Sequence, residues 1–340
     1  MTEQFWLGMA LIFLGGAMNG CFPLPMKYAR WKWENTWLVF AVVALLALPW
    51  ILAGGFVPEL GNVYRSVSSR ALWLPLIFGF LWGIAQVTFG LGISAVGMAL
   101  AFAVVAGLAC LSGSLIPLLV LSPGGLFQPR GILLLASMPI LFVGLALYGV
   151  AGRRREKEQA KSTVAGDAAR SFAAGLGICI FTGIFGSNIN LGFAFGGDVL
   201  RSGFAHGAST VTSTYAVWAL VLGAGFIPNL AYCLYLLFRN RNWHLFTETA
   251  WAREVLLGVA MALLWLGGMV TYGIGATLVG KYGTSLGYAL SIAAMILSSN
   301  SLGLLTGEWK GTSSGTKRLL AAGAAVVLVS VVVLNLGGLF

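Results

Sequence analysis

The stretch Leu81–Gly97, LWGIAQVTFGLGISAVG, recurs 183 residues later as Leu264–Gly280, LWLGGMVTYGIGATLVG. Eight of the 17 positions are identical, among them Trp82/Trp265, Thr88/Thr271, Gly90/Gly273 and Gly92/Gly275. Phe89/Tyr272, Leu91/Ile274 and Ser94/Thr277 are conservative. A match of this length makes the chain two copies of one unit. Weaker correspondences extend it. Val42 and Pro49 match Val221 and Pro228 at an offset of 179, and Gly8 and Gly16 match Gly175 and Gly183 at an offset of 167.

The duplicated unit belongs in a membrane. Charged residues are 9% of the chain, against about 25% in soluble domains, too few to coat a soluble surface. Apolar runs of about 20 residues, the length that crosses the hydrocarbon core, recur along the chain. Ten spans are expected, at about 5–24, 36–55, 72–93, 98–121, 131–151, 171–195, 211–238, 255–277, 284–305 and 318–339. The fold class is therefore an all-α polytopic membrane protein. Its 47 glycines suit close helix approach in lipid. Pro228 in the long seventh run predicts a kink or tilt, and Pro49 lies at a similar depth in the second. Met1–Gln4 carries no basic residue, so no cleavable signal is expected. Cys21, Cys110, Cys179 and Cys233 are scattered without CxxC spacing, which points to neither a disulfide framework nor a metal site. No cofactor is indicated.

Basic residues set the orientation. Fifteen Lys and Arg follow odd-numbered spans and five follow even-numbered ones. That bias puts the odd-span loops in the cytoplasm and both termini on the periplasmic side. An odd number of spans per half reverses the second half, so the halves are inverted repeats: 1–152 and 171–340, joined by a charged cytoplasmic linker, 153–170. The net charge of +10 is then orientation chemistry. It is spread over four loops, not gathered into a nucleic-acid surface. Inverted repeats are the framework of secondary transporters, with a site near the bilayer midplane. An enzyme is not indicated, because no embedded acid–base pair, metal cluster or nucleophile motif appears.

Polar groups inside hydrocarbon face a cavity or pair with one another. Trp82, Gln86 and Phe89 fall at i, i+4 and i+7, on one face of the third span; Trp265, Met269 and Tyr272 fall on the equivalent face of the eighth. Aromatic rings beside an amide or a hydroxyl suit a sugar, stacking on C–H surfaces and bonding hydroxyls. Helix packing, with Gln86 bonded to a neighbouring backbone, is the other reading. Asn188 and Asn190 of the sixth span, Asn19 of the first and Asn300 of the ninth are further candidates for ligand contact or for interhelical bonding. Positions kept in both halves read as scaffold, since a sugar has no two-fold symmetry. Positions where the copies differ, such as Gln86 against Met269, are the informative ones.

Proton coupling needs a titratable group. Glu34 starts the second span between Trp33 and Trp37, and partial burial there would favour its protonated form. A salt bridge to Lys27 or Lys32 is the alternative. Glu308 beside Trp309 and Lys310 reads as an interfacial anchor, and the other acids, Glu248 and Glu254 among them, fall in loops, in the tail or at loop borders. Neither histidine lies well inside a span.

The runs Gly20-Cys21-Phe22-Pro23-Leu24-Pro25-Met26-Lys27 and Trp31-Lys32-Trp33-Glu34-Asn35-Thr36-Trp37 resemble the bacterial L-rhamnose–proton symporter family, within the drug/metabolite transporter superfamily. So do Leu81-Trp82-Gly83-Ile84 and Gly307-Glu308-Trp309-Lys310. The resemblance covers nearly the whole chain. It implies an inner-membrane importer of L-rhamnose or a related deoxy-sugar driven by protons, and it draws attention to Glu34, Lys27 and Gln86. Another drug/metabolite-type carrier, such as an exporter of amino acids or metabolites, is the competing reading. The amide- and aromatic-rich positions favour a sugar over a cationic drug, which would want an embedded acid.

Overall fold

The structure, a computed structural model, describes residues 3–121, 124, 127–159, 165–247, 250–279 and 286–336. Lys161, Glu248 and Lys281, read above as loop charges, lie outside them. Its regular elements are all helical. In chain order they are α1 (Glu3–Cys21), α2 (Trp33–Ala41), α3 (Leu48–Phe56), α4 (Leu60–Arg65), α5 (Ser69–Val96), α6 (Met98–Leu121) and α7 (Pro129–Gln159). There follow α8 (Ala165–Gly186), α9 (Asn188–Phe195), α10 (Gly197–Ala205), α11 (Thr212–Asn240), α12 (Trp251–Val279), α13 (Leu286–Leu305) and α14 (Ser314–Leu336).

Among the described residues, eight helical segments are long and apolar enough to cross a membrane. Shorter apolar stretches, Leu100–Ala109 in α6 and Leu290–Leu305 in α13, stand where the fourth and ninth spans are expected. The second span, Trp33–Phe56, joins α2 and α3 through a π-helical stretch, Val42–Ala47, directly before Pro49. Proline has no N–H and its ring crowds the preceding turn, and the wider π turn absorbs both. The matching Pro228 sits inside an unbroken α11.

The first helix of each half is interrupted at the same place. α1 ends at Cys21, ahead of Pro23 and a 3-10 turn over Leu24–Tyr28. α8 ends at Gly186, and Ser187, the counterpart of Gly20 at the offset of 167, forms the turn before α9.

The chain divides into two compact units. The first contains Met1–Pro23, Thr88–Ile184 and Leu264–Phe340; the second contains Leu24–Val87 and Phe185–Leu263. The repeat-bearing helices α5 and α12 contribute to both.

In lipid no hydrophobic force drives helix to helix, so association relies on close backbone packing at small residues. The first unit is built on such contacts. A methyl group on Gly8 would lie 2.8 Å from the Gly275 carbonyl oxygen, and one on Gly15 would lie 2.6 Å from that of Gly268, so α1 runs antiparallel to α12. Gly16 meets Ser291 and Gly20 meets Met295, which makes α1 parallel to α13. α8 repeats this packing on the first half. Gly175 meets Ala95 and Val96, the Thr88 and Thr182 hydroxyls bond at 2.7 Å, and Gly183 meets Leu108. The partners correspond: Gly8 also touches Leu278 and Val279, which are Ala95 and Val96 shifted by 183, and Ser291 is Leu108 shifted by 183.

α7 and α14 form the other pair of the first unit and run antiparallel, with Gly144 against Val327 and Ser330 Oγ donating to the Ser137 carbonyl at 2.8 Å. The charged end of α7 stays helical and clasps the segment before α14. Buried Arg155 donates to the Val96 carbonyl at 2.9 Å and lies over the Trp309 ring. Glu158 accepts from the Ser313 N–H and the Thr316 hydroxyl, capping α14 with a carboxylate where the helix dipole favours one.

In the second unit α5 and α11 run parallel, Gly79 against Val221 and Gly83 against Gly225. Trp82 lies on Gly225 in the same seam. α4 is tied to α11 through the Tyr64 hydroxyl, which donates to the Ala216 carbonyl at 2.9 Å.

A Cβ at Gly83 would sit 2.3 Å from the Gly225 carbonyl oxygen, whereas one at Gly55 meets nothing within 4 Å. Gly83→Ala is expected to destabilise the detergent-solubilised protein by about 1–3 kcal/mol. Gly55→Ala, in an open helical position, is expected to be neutral or stabilising by up to about 1 kcal/mol. Thermal melting of the two variants checks the contrast.

Candidate functional site

The second unit holds a buried polar network assembled from α2, α5, α11 and the loops that flank them. It begins where α2 starts. Glu34, Asn35, Thr36 and Trp37 are all buried, and Glu34 is only 4% exposed. Its Oε1 accepts from Asn240 Nδ2 at 2.8 Å and from Asn242 Nδ2 at 2.6 Å. Both amides reach it because Arg241, between them, takes a left-handed conformation (φ 55°) that ends α11 and folds the chain back. Asn242 also accepts at its backbone carbonyl from Asn35 Nδ2, at 3.1 Å.

One turn further along α2, Trp37 Nε1 donates to Asn229 Oδ1 at 2.8 Å. Asn229 lies in α11 and is fully buried. Its Nδ2 donates to the Gly83 carbonyl of α5 at 3.1 Å and to the Gly225 carbonyl of its own helix at 2.9 Å. Trp33 stacks on Trp37 at 5.1 Å between ring centroids, with Tyr232 edge-on to Trp33.

A second buried carboxylate, far along the chain but bonded to the loop that leads into α2, plays a different part. Glu254, 1% exposed at the start of α12, accepts at Oε2 from the backbone N–H of Arg30 at 2.8 Å and of Trp31 at 3.3 Å. Its Oε1 pairs with Arg253, which also donates to the Tyr28 carbonyl. Glu254 therefore has a cation and pins the loop leading into α2. Glu34 is held by the two carboxamides of Asn240 and Asn242, with the Lys32 charge acting on it as well. A buried carboxylate changes the charge of its surroundings each time it takes or loses a proton, which is what an ion-coupling group must do.

Gln86 follows Gly83 by one turn of α5. It is 6% exposed, and its Nε2 has no hydrogen-bond partner among the described residues. Buried polar groups are nearly always bonded, so an open donor marks a place for a ligand or a water. Trp82 is buried against α11, as a packing residue is. Asn188 bonds the Phe185 carbonyl at 2.7 Å across the α8–α9 break, and Asn190 is exposed, so the two do not share a face.

The remaining expected residues belong to the first unit. Asn19 Nδ2 bonds the Gly15 carbonyl at 3.1 Å and lies against Gly268. Asn300 Nδ2 bonds the Ile296 carbonyl at 2.8 Å and the Tyr148 hydroxyl at 3.2 Å, leaving Oδ1 without a partner. Trp265 is buried, and Tyr272 is partly buried on the stretch of α12 that meets Gly15. Thus Glu34, Trp82, Gln86, Asn188 and Asn190 sit in the second unit, and Asn19, Trp265, Tyr272 and Asn300 in the first. Among the described residues no group of His, Cys, Asp or Glu is arranged to hold a metal ion.

Sequence reasoning passed over Asn229, Asn240, Asn242 and Glu254. A signal for Asn229 was available, as an amide beside a proline within an apolar run. The other three stand at loop borders, where nothing in the local pattern marks burial.

A family model described as L-rhamnose-proton symport protein (RhaT) matches residues 1–339. An L-rhamnose-proton symporter of Cronobacter sakazakii is 25% identical over 347 residues, covering 99% of each chain. Similar proteins of the same description occur in Pectobacterium atrosepticum, 24% identical over 347 residues, and in Mannheimia succiniciproducens, 24% identical over 348, again with 99% of each chain covered.

Replacing Glu254 by leucine strands the N–H groups of Arg30 and Trp31. Each buried donor left unbonded costs about 1–3 kcal/mol. Glu254→Leu should lower the melting temperature and raise amide hydrogen exchange at residues 30–31, whereas Arg253→Ala, which spares both bonds, should change exchange there much less.

Proposed function

This chain belongs to the L-rhamnose-proton symport protein family, and from that membership we infer that it imports L-rhamnose across the bacterial inner membrane by proton symport. The observation that carries the reading is the family match over residues 1–339. It favours the sugar symporter over an exporter of amino acids or other metabolites.

In this reading the chain crosses the membrane ten times as two inverted five-helix repeats, 1–152 and 171–340, with 153–170 as cytoplasmic linker and both termini periplasmic. The senses of the packed pairs support it. Spans of unlike parity, α1 with α12, α8 with α5 and α7 with α14, run antiparallel. Spans of like parity, α1 with α13 and α5 with α11, run parallel. The exchanged packing, α1 on the second half and α8 on the first, is further support, as is the equivalent interruption at Cys21–Pro23 and Ser187. Two related halves supply two related conformations, one open to each side.

L-rhamnose offers hydroxyls and a methyl-bearing ring. Gln86, with its open Nε2, is the leading sugar contact in the second unit, where Asn188 and Asn190 supply further amides and Trp82 an apolar face; in the first unit the candidates are Asn19, Trp265, Tyr272 and Asn300. Glu34 takes the proton. When it is neutral its oxygen is a weaker acceptor, so its hold on Asn240 and Asn242 slackens. Sugar and proton then cross together because each favours the same conformation.

Uptake of radiolabelled L-rhamnose into membrane vesicles, with and without an inward proton gradient, tests the assignment: gradient-dependent accumulation is expected, and its absence would refute symport. Glu34→Gln should abolish accumulation while sparing sugar exchange. A Glu34→Gln protein that still accumulates sugar normally would move the coupling group elsewhere.

A further inference from the structure

Asn229 has no part in the mechanism above, yet both ends of its buried carboxamide are hydrogen-bonded. Its Oδ1 accepts from Trp37 of α2, and its Nδ2 donates to Gly83 of α5 and to Gly225 of α11. The places those bonds reach are informative. Trp37 lies one turn after Glu34, and Gly83 lies one turn before Gln86. A single buried carboxamide thus joins the turn that carries the carboxylate to the turn that carries the open amide.

Packing alone does not ask for an amide there. The seam of Gly79, Gly83, Val221 and Gly225 is closed by backbone contact, and the buried Trp37 N–H asks only for an acceptor, whereas Asn229 also donates across to Gly83 on another helix. We propose that Asn229 is a positioning residue for coupling, transmitting the charge state of Glu34 on α2 to the setting of Gln86 on α5. The inference rests on the assignment of Glu34 to the proton and Gln86 to the sugar.

The physical route is short. A change of charge on Glu34 alters its bonds to Asn240 and Asn242 and so the seat of the first turns of α2. Trp37 moves with that turn, and its N–H either pulls on Asn229 or lets go of it. Because α11 and α5 are in backbone contact at Gly83 and Gly225, a shift at Asn229 is passed to α5 and not absorbed by loose side chains. Coupling of this kind is reciprocal: protonation alters sugar affinity by the same factor as sugar alters proton affinity.

The test uses the full-length protein in proteoliposomes, reading L-rhamnose exchange without a gradient and sugar-dependent proton uptake with a pH-sensitive dye. Asn229→Ala and Trp37→Phe are expected to retain exchange while protons taken up per sugar fall by about tenfold, within the range of ordinary allosteric couplings. A purely structural role predicts that exchange and accumulation fall together with protons per sugar unchanged, and that result overturns the proposal. If Asn229→Ala is not recovered folded, Trp37→Phe, which removes one donor and leaves the bonds to α5 and α11, decides by the same criterion. Glu34→Gln in the same assay separates the two ideas. If Glu34→Gln couples normally, the Glu34 assignment and this proposal both fall. If it is uncoupled while the Asn229 and Trp37 variants couple normally, this proposal alone falls.

Discussion

The close approach of glycine backbones is the constraint from which the rest of the structure follows. Lipid tails are as apolar as leucine, so helices in a bilayer gain little by hiding apolar faces from it and instead gain van der Waals contact where backbones can touch. Gly16 against Ser291, Gly83 against Gly225 and Gly8 against Gly275 are contacts of this kind, each too close for a Cβ. They determine which helices are neighbours and in which sense they run. The carbonyls and amides that the polar residues then use are placed by that packing, as the Gly83 carbonyl is placed for Asn229.

Within that frame the buried polar groups of the second unit divide by how they are compensated. Glu254 is matched by Arg253 and by two backbone N–H groups, and it holds a loop. Glu34 is held by two carboxamides, and Gln86 keeps an open donor. In a low-dielectric interior an unmatched polar group is costly. Groups left only partly matched are therefore the places to look for ligands and moving protons, and Asn229 stands between two of them.

Much of this was legible in the sequence, for reasons that can be named residue by residue. The 81–97 and 264–280 copies announced duplication, and the contacts of Gly8 and Gly175 fall on residues related by the same offset. Glu34 and Gln86 stood out because a carboxylate among tryptophans and an amide in an apolar run are unusual. The amides that bond Glu34 were not legible, since Asn240 and Asn242 are some 206 and 208 residues away in sequence.

What the sequence by itself determined is the solvent and the plan: apolar runs of spanning length, a repeated unit and a lopsided distribution of basic residues require a duplicated helical membrane protein, because each of these properties is local and additive along the chain. What only the tertiary structure decided is the partnership of its few polar groups. A hydrogen bond needs two groups within about 3 Å, and whether Asn229 meets Trp37 or Glu254 meets Arg30 depends on how three separate helices pack, which no local pattern encodes.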